Sequence, residues 1–363
     1  MISIRSHAVV LLPVVLALVG PPARAQTPET PTVREQVEVR EVGVVADLPP
    51  GYRGRSSQDL AGDLTIVEGG VTRQPMSVTP LGGEGANDYS RVLVVFDTAR
   101  CDNNVLSDAA SALGDHAAAL VALGPVEISL LGSELEPRLV HKLDRTLSSS
   151  EAAAALAQIA REQRCGPPPP PDRLRAVTLD ARDLDCPARP CLLVWAGPGW
   201  GAPPSDGGKA TPPPEPAAVE PLARTLAARG WVVLAAPIGS VPPPKNRRSI
   251  PEPQQTRPGS DRYTFGVNVL DPQRQHREPL SPEEYSALVD VWLAPLRQLA
   301  ASTAGEVAVE AGALDGALRS LAGRSILWYR TDRPPGREPP KIVVRAKRGA
   351  QTPFRTAEWA PTL

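Results

Sequence analysis

"RVLVVFDTARCDNN", residues 91–104, is the stretch on which the fold turns. Five apolar residues, Val92 to Phe96, run without a break into Asp97, with a small polar cluster behind it. Alternation would mark a strand with one wet face. An unbroken run of this length marks a strand buried on both faces, as in a parallel sheet covered by helices. Asp97 is then either a ligand at the tip of a buried strand or the first residue of a turn.

The same kind of run returns downstream. "CLLVWAG" (191–197) and "WVVLAAPIG" (231–239) read as further buried strands, and "VEISLLG" (126–132) and "PRLVHKL" (137–143) as strands of the same layer. Between them lie helical stretches at 105–123, 148–164, 215–230, 281–305 and 312–323. The helix at 148–164 opens on a Ser-rich cap, and Gly305 stops the one that begins at 281. Strand alternating with helix predicts an α/β sandwich with right-handed crossovers and a mostly parallel sheet. Two inserts interrupt it. Residues 166–190 open on five consecutive prolines, which no regular element accommodates. Residues 241–280 are rich in Pro, Arg and Gln and read as a long loop.

Before Arg91 the period is different. Residues 33–80 alternate as strands do, with Glu68-Gly69-Gly70 as a hairpin turn, and form a β-rich segment distinct from the α/β part of the chain. "GGEGANDYS" (82–90) reads as the linker. At the other end, "SILWYRTDR" (325–333) and "KIVVRAKRG" (341–349) are expected to pair with each other across "PPGREPP".

Residues 1–25 read as a secretory signal peptide: Arg5, a twelve-residue apolar run from Ala8 to Val19, and Ala23-Arg24-Ala25 as the cleavage site. Such a run is too short to span a bilayer, which takes about 20 residues. The expected mature chain loses two of its 39 basic residues and keeps 40 acidic ones, a balance with no basic bias toward nucleic acid. The expected location is the periplasm or the cell exterior. In an oxidising compartment the four cysteines, Cys101, Cys165, Cys186 and Cys191, are expected to form disulfides. The preferred bridge joins two of Cys165, Cys186 and Cys191, with Cys165 as one partner, and leaves Cys101 either free or met by a returning insert. Zinc is disfavoured, because the chain has no C-x2-C pair.

In this order the segments resemble the von Willebrand factor type A-related proteins, exported bacterial chains with an A-type domain behind a β-rich lead-in. The likeness rests on "DLTIVEGGVTRQPMSV" (63–78), "RVLVVFDTA" (91–99), "LRQLAASTAGEVAV" (296–309) and the tail "ALRSLAGRSILWYRTDRPPGREPPKIVVRAKRG" (317–349). It implies a doubly wound sheet of A type over residues 89–330. A β-rich segment over 26–88 precedes it, and a C-terminal strand extension over 331–363 comes after it. It also implies an Mg²⁺ site of oxygen ligands at the C-terminal ends of the strands, built from a D-x-S-x-S loop, a threonine and a further aspartate. This chain departs from that pattern. Ala99 and Cys101 stand where the two serines belong, Arg100 adds a positive charge, and Gly197-Pro198-Gly199-Trp200 supplies no aspartate. No metal ligand is therefore expected, except Asp97 if there is any, and no cofactor.

Other chemistry fits less well. Loop 197–211 lacks the first glycine and the final Ser or Thr of a phosphate-binding loop, with Pro203 and Ala210 in their places. No G-x-S-x-G elbow exists, and His116 and His141, one in a helix and one in a strand, complete no Ser/His/Asp set. The expectation is a non-enzymatic adhesion or protein-interaction module whose partner is a protein or another cell-envelope component. Asp97, Thr98, Arg100 and Trp200 are the candidate contacts. The alternatives are a structural subunit of an envelope assembly and a degenerate hydrolase-like enzyme.

Overall fold

The computed structural model describes residues 39–48, 50–52, 55–81, 89–98, 103–132, 137–143, 148–162, 184–186, 190–197, 215–239, 282–333, 342–347 and 356–359. The expected signal peptide, Arg100, Cys101, Cys165, Trp200 and nearly all of both inserts lie outside these residues.

The alternating N-terminal segment forms β1 (Arg40–Asp47), β2 (Leu64–Glu68), β3 (Val71–Arg73) and β4 (Ser77–Pro80). A short helix, α1 (Ser57–Asp63), interrupts them, and the alternation gives no sign of it. Its signal is local. The Ser56 hydroxyl accepts the Asp59 amide at 3.2 Å and donates to the Asp59 carboxylate at 2.6 Å, which ties down the first turn. The expected hairpin is present: Glu68 opposes Val71, with Gly69 and Gly70 between them at φ 55° and 89°. Two consecutive positive φ values define the tight turn whose twist suits a hairpin, and glycine adopts both without strain.

The α/β elements come next in chain order: β5 (Val92–Asp97), α2 (Asn103–Asp115), α3 (Ala117–Leu123), β6 (Val126–Leu131), β7 (Pro137–Leu143), α4 (Ser149–Glu162), β8 (Cys191–Ala196), α5 (Pro216–Ala228), β9 (Trp231–Ala236), α6 (Pro282–Ser302), β10 (Glu306–Val307) and α7 (Ala311–Ala322). The stretch 105–123, expected as one helix, breaks at His116, whose φ of −109° and ψ of 16° leave the helical region. The six strands form one sheet in the order β10-β9-β8-β5-β6-β7, parallel except for β7 at the edge. Counted from the β7 edge that is third-second-first-fourth-fifth-sixth along the chain, the order of a doubly wound sheet.

Both faces of this sheet are covered, which is why its strands read as continuous apolar runs. Val92, Val94 and Phe96 enter a core shared with α2, α3, α4 and α7; Leu93 and Val95 enter the opposite core, under α5 and α6. Trp195 and Trp231 are the largest side chains of that second core, exposed to 1% and 0%. A buried aromatic of this size removes 150–250 Å² from water, on the order of 4–6 kcal/mol of gross transfer free energy. Trp195 is thus a core residue.

The C-terminal strands are β11 (Arg324–Thr331), β12 (Ile342–Ala346) and β13 (Thr356–Trp359). Contrary to expectation, β11 and β12 do not pair with each other. Instead β11 lies between β1 and β4 in an antiparallel sheet of order β13-β1-β11-β4, and β12 adds to the hairpin in a sheet of order β12-β2-β3. The physical reason is pattern matching. Val42, Val44 and Ala46 of β1 share a small core with Leu327 and Tyr329 of β11 and Val344 of β12. On the other face of the same sheet, Val45, Leu81 and Ile326 belong to the large core with α2, α3, α4 and α7. The N-terminal segment, expected to be distinct, therefore shares buried surface with the α/β layers.

Two buried charged groups brace these strands, and the first of them also reaches the α/β layers. Arg324, fully buried, ion-pairs with Asp47 at the end of β1 and with Glu306 of β10 at 2.6 Å, and it donates to the carbonyl of Ala304 at 2.8 Å. Glu68, 5% exposed, accepts the hydroxyls of Tyr329 at 3.1 Å and Thr331 at 2.7 Å, with the Arg333 guanidinium 3.2 Å away. Burial, and then the negative charge of Glu68, push the Tyr329 phenol well above its ordinary range.

The turn at Ala304 results from how α6 ends. The Gly305 amide reaches back to the Ala300 carbonyl at 2.7 Å while Ala304 adopts φ 54°, a left-handed helix stop usually given to glycine. Here the methyl group of Ala304 is buried in the large core, which offsets the strain. Next to it, a Cβ on Gly305 would lie 1.8 Å from the Val233 carbonyl oxygen, so α6 can close onto β9 only through a glycine.

Candidate functional site

In a doubly wound sheet the connections run outward in both directions from one pair of neighbouring strands, and the crevice beyond their C-terminal ends is where ligands bind. Here that pair is β5 and β8. From β5 the chain crosses to β6 on one side, and from β8 it crosses to β9 on the other. Asp97 is the last residue of β5, paired in register with Leu131 of β6 and 1% exposed. It sits at the switch point.

The immediate neighbours of Asp97 define its surroundings. Thr98 turns away from the crevice: its amide and its hydroxyl both donate to the Leu131 carbonyl, at 3.0 and 3.1 Å. Gly197, the first residue after β8, passes directly over Asp97, and a Cβ at Gly197 would lie 2.6 Å from the Asp97 Cβ. An aspartate on that loop, of the kind the resemblance implies for an oxygen shell, has no room at this residue. In the sequence only the missing ligand at Gly197 is visible. The close approach that requires glycine there becomes visible with the strand register. Gly239, at the exit of β9, repeats the arrangement at φ 74°, with a Cβ position 2.9 Å from the Asp108 carboxylate of α2. Neither Gly239 nor Asp108 stands out as a site residue in the sequence, because the contact joins elements far apart in the chain.

Among the described residues no three His, Cys, Asp or Glu side chains are placed to hold a metal ion. Asp97 and Thr98 by themselves do not make an Mg²⁺ shell, which takes six oxygens. Arg100 and Trp200, the other candidate contacts, lie outside the described residues. So do residues 198–214 and 240–281, but the places where these segments depart are described: Gly197 and Gly239, both at the C-terminal edge.

The opposite edge carries the disulfide. Cys186 and Cys191 are bonded, with Cα atoms 5.8 Å apart. This corrects the preferred pairing: two of the three candidate cysteines are joined, but to each other, which removes both as partners for Cys165. Cys191 begins β8, and Cys186, five residues earlier in the chain, is joined to it there. Beside the bridge, Arg91 stacks its guanidinium 5.7 Å from the centre of the Trp231 ring and donates to Glu127 at 2.7 Å. Lys142 holds the other Glu127 oxygen at 2.8 Å. Burial alone would raise the Glu127 carboxyl; the hydrogen bonds from Lys142 and Arg91 and their charges outweigh it and hold the group below its ordinary value.

The chain is thus a mixed α/β protein built on a six-stranded, mostly parallel sheet, compatible with doubly wound architecture. No protein-family model matches it, and no curated protein matches it. Among solved structures it is similar to the human COPII-coat protein Sec24c, at 10% sequence identity and a TM-score of 0.30, over 78% of this chain and 44% of that one. The match spans less than half of the Sec24c chain. No described helix is long and apolar enough to cross a membrane.

Proposed function

We propose that this chain is an exported, non-enzymatic protein-interaction or adhesion module of von Willebrand factor A type, with a degenerate metal site. It binds a protein or another cell-envelope component at the C-terminal edge of its six-stranded sheet, in the periplasm or outside the cell. In this reading residues 1–25 are removed on export and residues 89–330 are the binding domain. Residues 26–88 and 331–363 supply the β-strands packed beside it.

One observation carries the proposal. Asp97 lies at the switch point, and segments 198–214 and 240–281 both depart from that same edge, at Gly197 and Gly239. Variable binding surfaces are commonly built from loops gathered at one end of a rigid sheet. Gly197 supports recognition without a cation, since its closeness to Asp97 leaves no space there for a ligating side chain. Arg100 and Trp200 are the residues assigned to contact the partner. Thr98, turned onto β6, is assigned to holding the loop.

The test is affinity capture of partners from the native cell envelope by the tagged chain, with and without EDTA. Asp97→Asn and Trp200→Ala are run in parallel, the first preserving shape in a buried position. Capture that survives EDTA and drops at least tenfold with Trp200→Ala supports the proposal. Capture lost in EDTA restores a cation at Asp97, and capture indifferent to both substitutions moves the binding surface elsewhere.

A further inference from the structure

We propose that the Cys186–Cys191 disulfide is an exchange-labile clamp, opened by a dithiol reductant, that holds residues 184–186 against the base of the sheet and covers Trp231. Its two sulfurs are unequal. Cys191 is fully buried at the start of β8, whereas Cys186 is partly exposed. Attack from solvent therefore falls on Cys186, with Cys191 as the leaving sulfur.

The leaving sulfur has a hydrogen-bond donor in place. Ser90 Oγ is 3.1 Å from Cys191 Sγ and 3.9 Å from Cys186 Sγ. Burial in apolar surroundings disfavours a departing thiolate, and a hydroxyl hydrogen bond to it stabilises it; exchange runs faster as the leaving thiolate is stabilised. The reductant thiolate attacks Cys186 Sγ, the S–S bond breaks, and its electron pair passes to Cys191 Sγ, which takes a proton from solvent. The second thiol of the reductant then attacks its own sulfur in the mixed disulfide and releases Cys186 as a thiol. Two electrons reach the protein, and the reductant leaves as a disulfide.

What opens is local. The start of β8 is held independently of the bridge: the Cys191 amide donates to the Gly230 carbonyl at 2.8 Å and the Leu192 amide to the Arg91 carbonyl at 2.8 Å. Residues 184–186 lie outside the strand ladder. Besides the bridge, their contacts include Leu184 and Cys186 against the apolar layer, Cys186 Sγ 3.8 Å from the Gly230 carbonyl, the Trp231 indole N–H on the Leu184 carbonyl at 3.1 Å, and Arg91 on the Asp185 carbonyl at 3.1 Å. Reduction thus releases the flap over Trp231 and leaves the sheet standing.

The experiment is dithiothreitol treatment of the intact chain without denaturant, quenched at intervals by alkylation and read by peptide mapping. Cys186 and Cys191 become labelled while far-UV circular dichroism is unchanged, and acrylamide quenching of indole emission rises by an increment that Trp231→Phe lacks. Ser90→Ala slows labelling about tenfold with an unaltered melting temperature, and Ser90→Thr restores the rate. Labelling that occurs only as fast as global unfolding overturns the proposal, as does a wild-type rate in Ser90→Ala.

Discussion

Arg324 is the residue whose loss the whole molecule should register. It is 0% exposed and touches both parts of the structure: Asp47 at the end of β1 on one side, Glu306 and the carbonyls of Ala304 and Gly305 on the other. Arg324→Met keeps much of the volume and removes the charge. What remains is two carboxylates and two carbonyls arranged around an apolar side chain. Breaking a buried ion pair from one side costs about 3–5 kcal/mol, mostly because the stranded partner stays charged in a poor solvent. Here Asp47 and Glu306 keep 26% and 21% of their side-chain surface in water, which places the cost near the lower end, about 3 kcal/mol. Urea unfolding monitored by circular dichroism and by tryptophan emission measures it. Because β1 and β11 share buried residues with α2, α3, α4 and α7, both probes should shift together, with one midpoint and an unchanged slope. Adding Asp47→Asn and Glu306→Gln to the variant should recover part of the loss, since it removes the stranded charges. A loss under about 1 kcal/mol in Arg324→Met, well below the range for a broken buried pair, or two separated transitions, would refute the argument that this arginine joins the layers.

Two further expectations concern a backbone contact and a charge. Gly305→Ala places a methyl group 1.8 Å from the Val233 carbonyl oxygen, so its cost should meet or exceed the ~1–3 kcal/mol typical of overpacking; a urea midpoint equal to wild type would contradict the packing of α6 on β9. Glu127 has its carboxyl held below the ordinary 4.5, so its ion pairs stabilise the folded chain fully above that pH, and the contribution is lost as pH falls through the depressed value. Glu127→Gln should therefore lower stability at neutral pH and flatten the acid limb of a stability–pH curve, a comparison made by thermal melts from neutral pH down through the carboxylate range.

The α/β layers were legible because burial on both faces leaves a mark in the chain: Val92 to Phe96, Leu192 to Ala196 and Val232 to Ala236 are apolar at every position, and no surface strand reads that way. Helix boundaries came within a few residues wherever a cap or a glycine stop marked them, as at Ser148 and Gly305. The break at His116 left no such mark, since good helix formers stand on both sides of it, Ala117 to Leu123 among them. Pairing was the larger failure. "SILWYRTDR" and "KIVVRAKRG" lie close together in the chain, so a hairpin was the economical reading, yet each found a partner in the N-terminal segment through matched apolar faces that only register reveals. At the candidate site, Asp97 was legible as a strand end. That Gly197 must be glycine was not, because the constraint comes from a strand whose neighbour lies about a hundred residues earlier.

The pairing of β1 with β11 also sets a timetable. Arg40 bonds to the backbone of Arg333 across 293 residues of chain. While the polypeptide is being made, Val42 to Ala46 have no β11 to meet until residues 324–331 have been synthesised. A β-prone apolar segment waiting that long is exposed to mispairing with other chains, and contacts of such sequence separation form slowly. β11 then arrives between β1 and β4, ahead of β12 and β13, so chains truncated before residue 324 should accumulate as aggregates, whereas chains that include β11 cover β1 themselves.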